Sequence, residues 1–227
     1  MPIDYTKRPA QPAASAQPTA SAPVQPTGPV LLTKSAPTVS LAKHTGGMLR
    51  VNLNWNARPT QSRGFFHKPE PTLDLDLGCL YEFTDGTKGV VQALGKAFTA
   101  GSAGVATPII RLDGDDRSGN VAAGENLFID LAQVARIRRI LVFALIYEGA
   151  ANWAAAAGVA TLYPANGQPI TINLDDPREG ARICAIARLE AQGGDLVVHR
   201  EINYLNGGQR ALDEAYGWGM RWTAGRK

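Results

Sequence analysis

The chain has 227 residues, of which 44% are hydrophobic, and a formal net charge of +3; its mean hydropathy is -0.13. This length holds one large all-β domain, or a smaller domain with a tail. The composition excludes an integral helical membrane protein, because no apolar run approaches the ~20 residues that a spanning helix needs.

The chain opens on Met1–Arg8 with no apolar stretch behind its charges, so no secretory leader is expected. Residues 1–45 read as a disordered, basic arm rich in Pro, Ala and Ser. Pro2, Pro9, Pro12, Pro18, Pro23, Pro26, Pro29 and Pro37 recur too often for helix or sheet. So few large apolar groups cannot offset the entropy of ordering the segment. It reads as a semi-extended spacer, or as a docking arm through the small apolar patch Val30, Leu31 and Leu32. From Tyr5 to Pro69 there is no Asp or Glu, whereas Lys7, Arg8, Lys34, Lys43, Arg50, Arg58, Arg63 and Lys68 fall there. The basic front and mildly acidic body suggest two parts with different tasks.

The folded body is placed at residues 46–227. Leu49, Val51, Leu53 and Trp55 alternate with polar residues, which is the period of a half-buried strand. After a basic loop, Leu73, Leu75 and Leu77 alternate with Asp74 and Asp76, the leucines facing inward. This strand should run through Phe83 to a turn at Asp85-Gly86 and return over Lys88 to Leu94. A loop and a strand lead into the acidic loop that follows Leu112. Leu127 to Leu131 is another strand, and Arg139 to Tyr147 is apolar enough for a central strand buried on both faces. Gly149 to Gly158 suggests one or two helical turns. Asn166-Gly167 joins strands at Val159–Tyr163 and Pro169–Leu174, and Gln192-Gly193-Gly194 joins Ala181–Leu189 to Leu196–Tyr204. Gln209 to Tyr216 reads as a short helix and Gly217 to Trp222 as a last strand. The sum is an all-β fold, a two-sheet antiparallel β-sandwich with short helical segments.

The carboxylates are the most informative candidates for chemistry. Asp74 and Asp76, two apart on a strand, leave on one face. Asp115 and Asp116 sit in a Gly-bracketed loop, and Glu125 follows shortly after. Gathering such charges is unfavourable without a cation among them, and Ca2+ takes about six to eight oxygen ligands; an ordinary solvated turn is the alternative. The EF-hand pattern fails on Asp113, Asp115 and Arg117: Arg117 takes a ligand position, Ser118 the glycine position and Gly124 the place of the closing glutamate. Cys79 and Cys184 have no metal spacing and read as small buried thiols, with pairing between them left open. His44, His67 and His199 follow no ligand or nucleophile spacing. Gly86-Thr87-Lys88 lacks the glycine spacing of a phosphate loop, and there is no Gly-x-Ser-x-Gly elbow. Trp55, Trp153, Trp218 and Trp222 read as core or sheet-edge aromatics. Arg136, Arg138 and Arg139 read as a solvated strand end, with an anionic partner as the alternative.

Several segments together resemble one known family. Val51 to Trp55 resembles its first strand, Leu73-Asp74-Leu75-Asp76 its "DLD" strand, and Gly114-Asp115-Asp116-Arg117-Ser118-Gly119 its "GDN-R-T-G" loop. Glu125 to Leu131 resembles its acidic "DDE" segment, and Arg139 to Tyr147 its central strand. The likeness, from about Gly46 to Trp222, is to the TerD-type tellurium-resistance and stress-response domain, most of all to its TerA-like members. It implies a β-sandwich, a cytoplasmic stress complex at or near the membrane surface, no established catalytic step, and a Ca2+ site. The candidate ligands are Asp74, Asp76, Asp115, Asp116 and Glu125, with Gly119 offering a backbone carbonyl. Where the family usually has consecutive Asp residues before the Glu, this chain has Ala123-Gly124, which removes carboxylates.

The leading expectation is therefore a Ca2+-binding stress-response module with protein partners, no nucleic-acid ligand and no transmembrane segment. The other readings are a metal-free interaction scaffold and a metal-dependent hydrolase using the same carboxylates. Nucleic-acid binding is disfavoured, since the arm is sparse in charge and poor in aromatics.

Overall fold

A computed structural model of the chain describes residues 30–41, 46–55, 73–113 and 124–222. Among them are thirteen strands in two sheets. In chain order these are β1 (Val30–Leu31), β2 (Thr38–Ser40), β3 (Met48–Asn54), β4 (Asp74–Phe83), β5 (Lys88–Val91), β6 (Thr99–Ala100), β7 (Ile110–Leu112), β8 (Glu125–Asp130), β9 (Ile137–Glu148), β10 (Gly158–Tyr163), β11 (Ile170–Leu174), β12 (Ile183–Gln192) and β13 (Asp195–Leu205). One sheet runs β1-β11-β10-β3-β8-β7-β6 and the other β2-β13-β12-β9-β4-β5. All pairings are antiparallel except β1 with β11. Two short α-helices, α1 (Trp153–Ala156) and α2 (Gln209–Tyr216), complete the β-sandwich. Among the described residues, no helix is long and apolar enough to cross a membrane.

The alternation read in the sequence sets which face each strand buries. Leu49, Val51 and Leu53 of β3 and Leu75, Leu77 and Cys79 of β4 are all buried in the one core between the sheets. The run in β9 is buried on both faces: Ile140, Val142, Ala144 and Ile146 belong to that core, while Leu141 and Phe143 belong to a second cluster with Leu80, Ile183, Ala185, Leu212 and Trp218. Helix α2 and the chain after it thus roof the outer face of the second sheet. Gly78 makes room on this face for its cross-strand neighbour Phe143, because a Cβ there would lie 2.6 Å from the Phe143 ring.

The hairpins β4–β5, β10–β11 and β12–β13 form where the turn residues placed them. Two expectations need correcting. Residues 30–41, assigned to the arm, belong to the sandwich. Val30 pairs with Ile170, Val39 pairs with Val198, and Leu32 and Leu41 are buried in the core. The segment therefore straps the edge of one sheet to the edge of the other. The apolar patch flagged for a partner docks instead on its own domain, although Leu31 stays exposed. The rest of the arm lies outside the described residues.

The second correction concerns Gly217 to Trp222, which form no strand. Gly217 ends α2 in the left-handed region at φ 60, and its N–H bonds to the Asp213 carbonyl. The Asp213 carboxylate then accepts the N–H groups of Gly219 (2.6 Å) and Met220 (2.9 Å) and the Trp222 indole N–H (2.5 Å). One buried side chain takes the donors that a strand would have needed for a ladder.

Part of the basic cluster at the start of β9 is also committed. Glu82, only 3% exposed, faces Arg138, Arg139 and Lys88. Arg139 lies 3.9 Å over the Trp218 ring and donates to the carbonyls of Tyr216 and Gly217. Arg139 thus pins the roof, whereas Arg136 and Arg138 are exposed at the strand end, as the sequence reading expected.

Candidate functional site

The acidic edge is built where β8 of the first sheet approaches β4 of the second. On β4, Leu75 and Leu77 point into the core, so Asp76 leaves on the opposite face, and Asp74 precedes Leu75 across a register shift in the ladder with β9. Asp76 is 7% exposed, and Asp74 is half-buried. Strand β5 pairs only with Cys79 to Glu82, so the start of β4 extends past it. There, Glu125 reaches across the gap between the sheets. Its Oε2 accepts the backbone N–H of Leu77, the amide directly after Asp76, at 2.6 Å. Glu125 is 1% exposed. A strand-edge donor is thereby satisfied by a carboxylate rather than by another strand.

Behind Glu125 lies a polar network that the sequence did not single out. Asn52 and Asn126 are cross-strand partners in β3 and β8. The Asn126 Oδ1 accepts from Asn52 Nδ2 (3.0 Å) and Arg50 Nη1 (3.1 Å). Its Nδ2 donates to Asp113 Oδ2 at 2.9 Å, and its backbone N–H donates to Asp113 Oδ1 at 3.0 Å. Asp113 N–H returns a bond to the Asn126 carbonyl at 3.0 Å. Arg50 also stacks 4.1 Å over the Tyr163 ring. The available signal was the polar face of the alternating β3 strand, which carries Arg50 and Asn52; pairing them with Asn126 required the register. On the other side, Trp55 donates its indole N–H to the Leu73 carbonyl at 3.1 Å and ties the end of β3 to the start of β4.

Gly124 explains a departure from the family pattern. Its φ is +62, and a Cβ would fall 2.2 Å from the Leu53 carbonyl oxygen. Leu53 pairs with Glu125, so residue 124 passes too close to β3 to carry a side chain.

Of the sequence-derived ligand set, the structure brings the Glu125 carboxylate to the backbone beside Asp76, on the strand that also holds Asp74. Asp115, Asp116 and Gly119 lie outside the described residues. Among the described residues, no group of three or more His, Cys, Asp or Glu side chains is arranged to hold a metal ion. Cys79 and Cys184 are free and buried, and burial pushes both thiols well above their usual range. His199 stands on β13 with Nδ1 3.5 Å from Thr38 Oγ1 and Nε2 3.6 Å from Glu190. His44 and His67 lie outside the described residues.

No family model matches the chain. The tellurium resistance protein TerA of an Alcaligenes species is 41% identical to it over 202 residues, which is 87% of this chain. The chain belongs to the TerA-like tellurium-resistance family. It spans 58% of the length of that relative. The family likeness read from the sequence now has a place in the fold. Its first strand is β3, its "DLD" is the start of β4, and its central strand lies within β9. The strand ending in Asp-Leu is β8, where Asp130 is both the last strand residue and the cap of a 3-10 turn, its side chain accepting from Ala132 N–H at 3.0 Å.

Proposed function

We propose that this TerA-like chain is a non-catalytic, Ca2+-binding module in tellurium resistance and the stress response. In this reading, calcium joins the two sheets at the acidic edge and completes a surface for protein partners in the cytoplasm, at or near the membrane. The observation that carries the reading is the buried Glu125 carboxylate of one sheet on the amide that follows Asp76 in the other. Carboxylates are hard oxygen donors of the kind Ca2+ takes. Asp74, Asp76 and Glu125 would hold the ion, and they fit it as a partial set: they do not form a three-ligand group by themselves. The reading assigns the remaining oxygens to Asp115, Asp116 and Gly119. Bound calcium would supply charge compensation and cross-linking, with no chemical step.

The test is a calorimetric titration of the full chain, freed of metal, with Ca2+. The wild type should bind, and Asp76→Ala and Glu125→Gln should each weaken or abolish binding. Absence of heat in the wild type, or unchanged binding in both variants, would overturn the reading. The same partial set favours a second reading, a metal-free interaction scaffold; it gains if the chain captures the same partner proteins in chelator as in calcium.

A further inference from the structure

We infer that Asn126, which is outside the proposed ligand set, is the positioning residue for Glu125, and that it works through the polarity of its pairing with Asp113. The inference rests on the calcium reading for its consequence, but not for its geometry. Asn126 follows Glu125 on β8 and points to the opposite face of the strand. It is 6% exposed, and five hydrogen bonds converge on it. Arg50 and Asn52 donate to its Oδ1. Its Nδ2 and backbone N–H each go to a different oxygen of Asp113, and its carbonyl takes the Asp113 N–H.

This arrangement binds β3, β8 and the residue after β7 into one unit at the point where Glu125 leaves the sheet. With both Asp113 oxygens taken by Asn126, that carboxylate serves as a brace. Glu125 must span the gap between two sheets to place Oε2 at 2.6 Å from the Leu77 amide nitrogen. A strand end free to shift by a fraction of an ångström would not keep that bond. Groups that orient a metal ligand typically change metal affinity 10- to 100-fold when removed.

The decisive substitution keeps size and changes donor polarity. In Asn126→Asp, the atom that donated to Asp113 becomes an acceptor, and two carboxylates face each other. In the double variant Asn126→Asp with Asp113→Asn, an amide again donates to a carboxylate across the same gap, and residue 113 keeps an oxygen for the backbone N–H of residue 126. The first readout needs no calcium: hydrogen exchange at the Leu77 amide in chelator, which reports the Glu125 contact. The second is Ca2+ affinity by calorimetry.

The single variant should speed Leu77 exchange and lower affinity about tenfold or more; the double variant should restore both toward wild type. Leu77 exchange unchanged in the single variant would overturn the inference. So would failure of the swapped pair to recover when its far-ultraviolet spectrum and melting are native-like. Should the wild type bind no calcium, the functional reading falls, while the exchange measurement still decides the positioning role. Should the single variant misfold outright, Asn52→Ala, which removes one donor from the Asn126 Oδ1, provides a milder version with the same two readouts.

Discussion

Gly124→Ala offers a direct check on how the acidic edge is built. Two terms act against the variant. A non-glycine residue in the left-handed region costs about 1 kcal/mol. The added carbon would lie 2.2 Å from Leu53 O, 3.1 Å from Leu53 C and 3.2 Å from Asn54 Cα, all backbone atoms of β3 that no rotamer change can move aside. Forcing such a contact typically costs 1–3 kcal/mol more. The sum is about 2–4 kcal/mol, or roughly 4–16 °C of melting temperature at ~2–4 °C per kcal/mol for a domain of this size. Gly124→Asp, which would return the carboxylate usual in the family, should be destabilised as much and should gain no calcium affinity. Urea melts followed by circular dichroism would measure both. A loss below about 0.5 kcal/mol in Gly124→Ala, the level of an ordinary surface change, would refute the close approach of residue 124 to β3.

Other consequences concern the rest of the sandwich. Leu32→Ala should destabilise by about 2–4 kcal/mol, because Leu32 is 4% exposed whereas its neighbour Leu31 is 55% exposed; Leu31→Ala should be near neutral in the same melt. Burial alone would raise the Glu82 pKa, but the hydrogen bond from Arg139 and the charges of Arg139, Lys88 and Arg138 outweigh it and hold the carboxyl below its usual range. A depressed native pKa stabilises the fold above the unfolded-chain value and loses that contribution as pH falls through the native value. Glu82→Gln should therefore be less stable than wild type by about 3 kcal/mol at pH 7, with the gap closing below about pH 4.3 in a pH series of melts. Cys79 and Cys184, buried with raised pKa values, should resist a thiol reagent in buffer and both react in denaturant; rapid native labelling would contradict their burial.

Much of the fold was legible because its main signals are local. The period-two alternation of Leu49 to Trp55 and of Leu73 to Leu77 specifies which face is buried, and Asp85-Gly86, Asn166-Gly167 and Gly193-Gly194 mark the hairpins. Helix α2 occupies the predicted residues. What escaped was decided by partners distant in the chain. The strap at 30–41 looks like linker by composition, and its few apolar residues gain a place only once β11 and β13 expose edges for it. Gly217 to Trp222 has strand-like residues, but the Asp213 carboxylate captures their donors. At the candidate site, the acidic character of Asp76 and Glu125 was legible, whereas the Leu77 amide as the contact point of Glu125 was not. The role of Asn126 depended on the register Asn52–Asn126 between β3 and β8.

Thermal unfolding of the full chain, once in excess chelator and once with Ca2+ at a hundred times its dissociation constant, bears most directly on the proposal that calcium joins the two sheets. Binding to the folded state alone should add about 2.7 kcal/mol, which displaces the melting curve upward by roughly 5–11 °C. Two superimposed curves would contradict it.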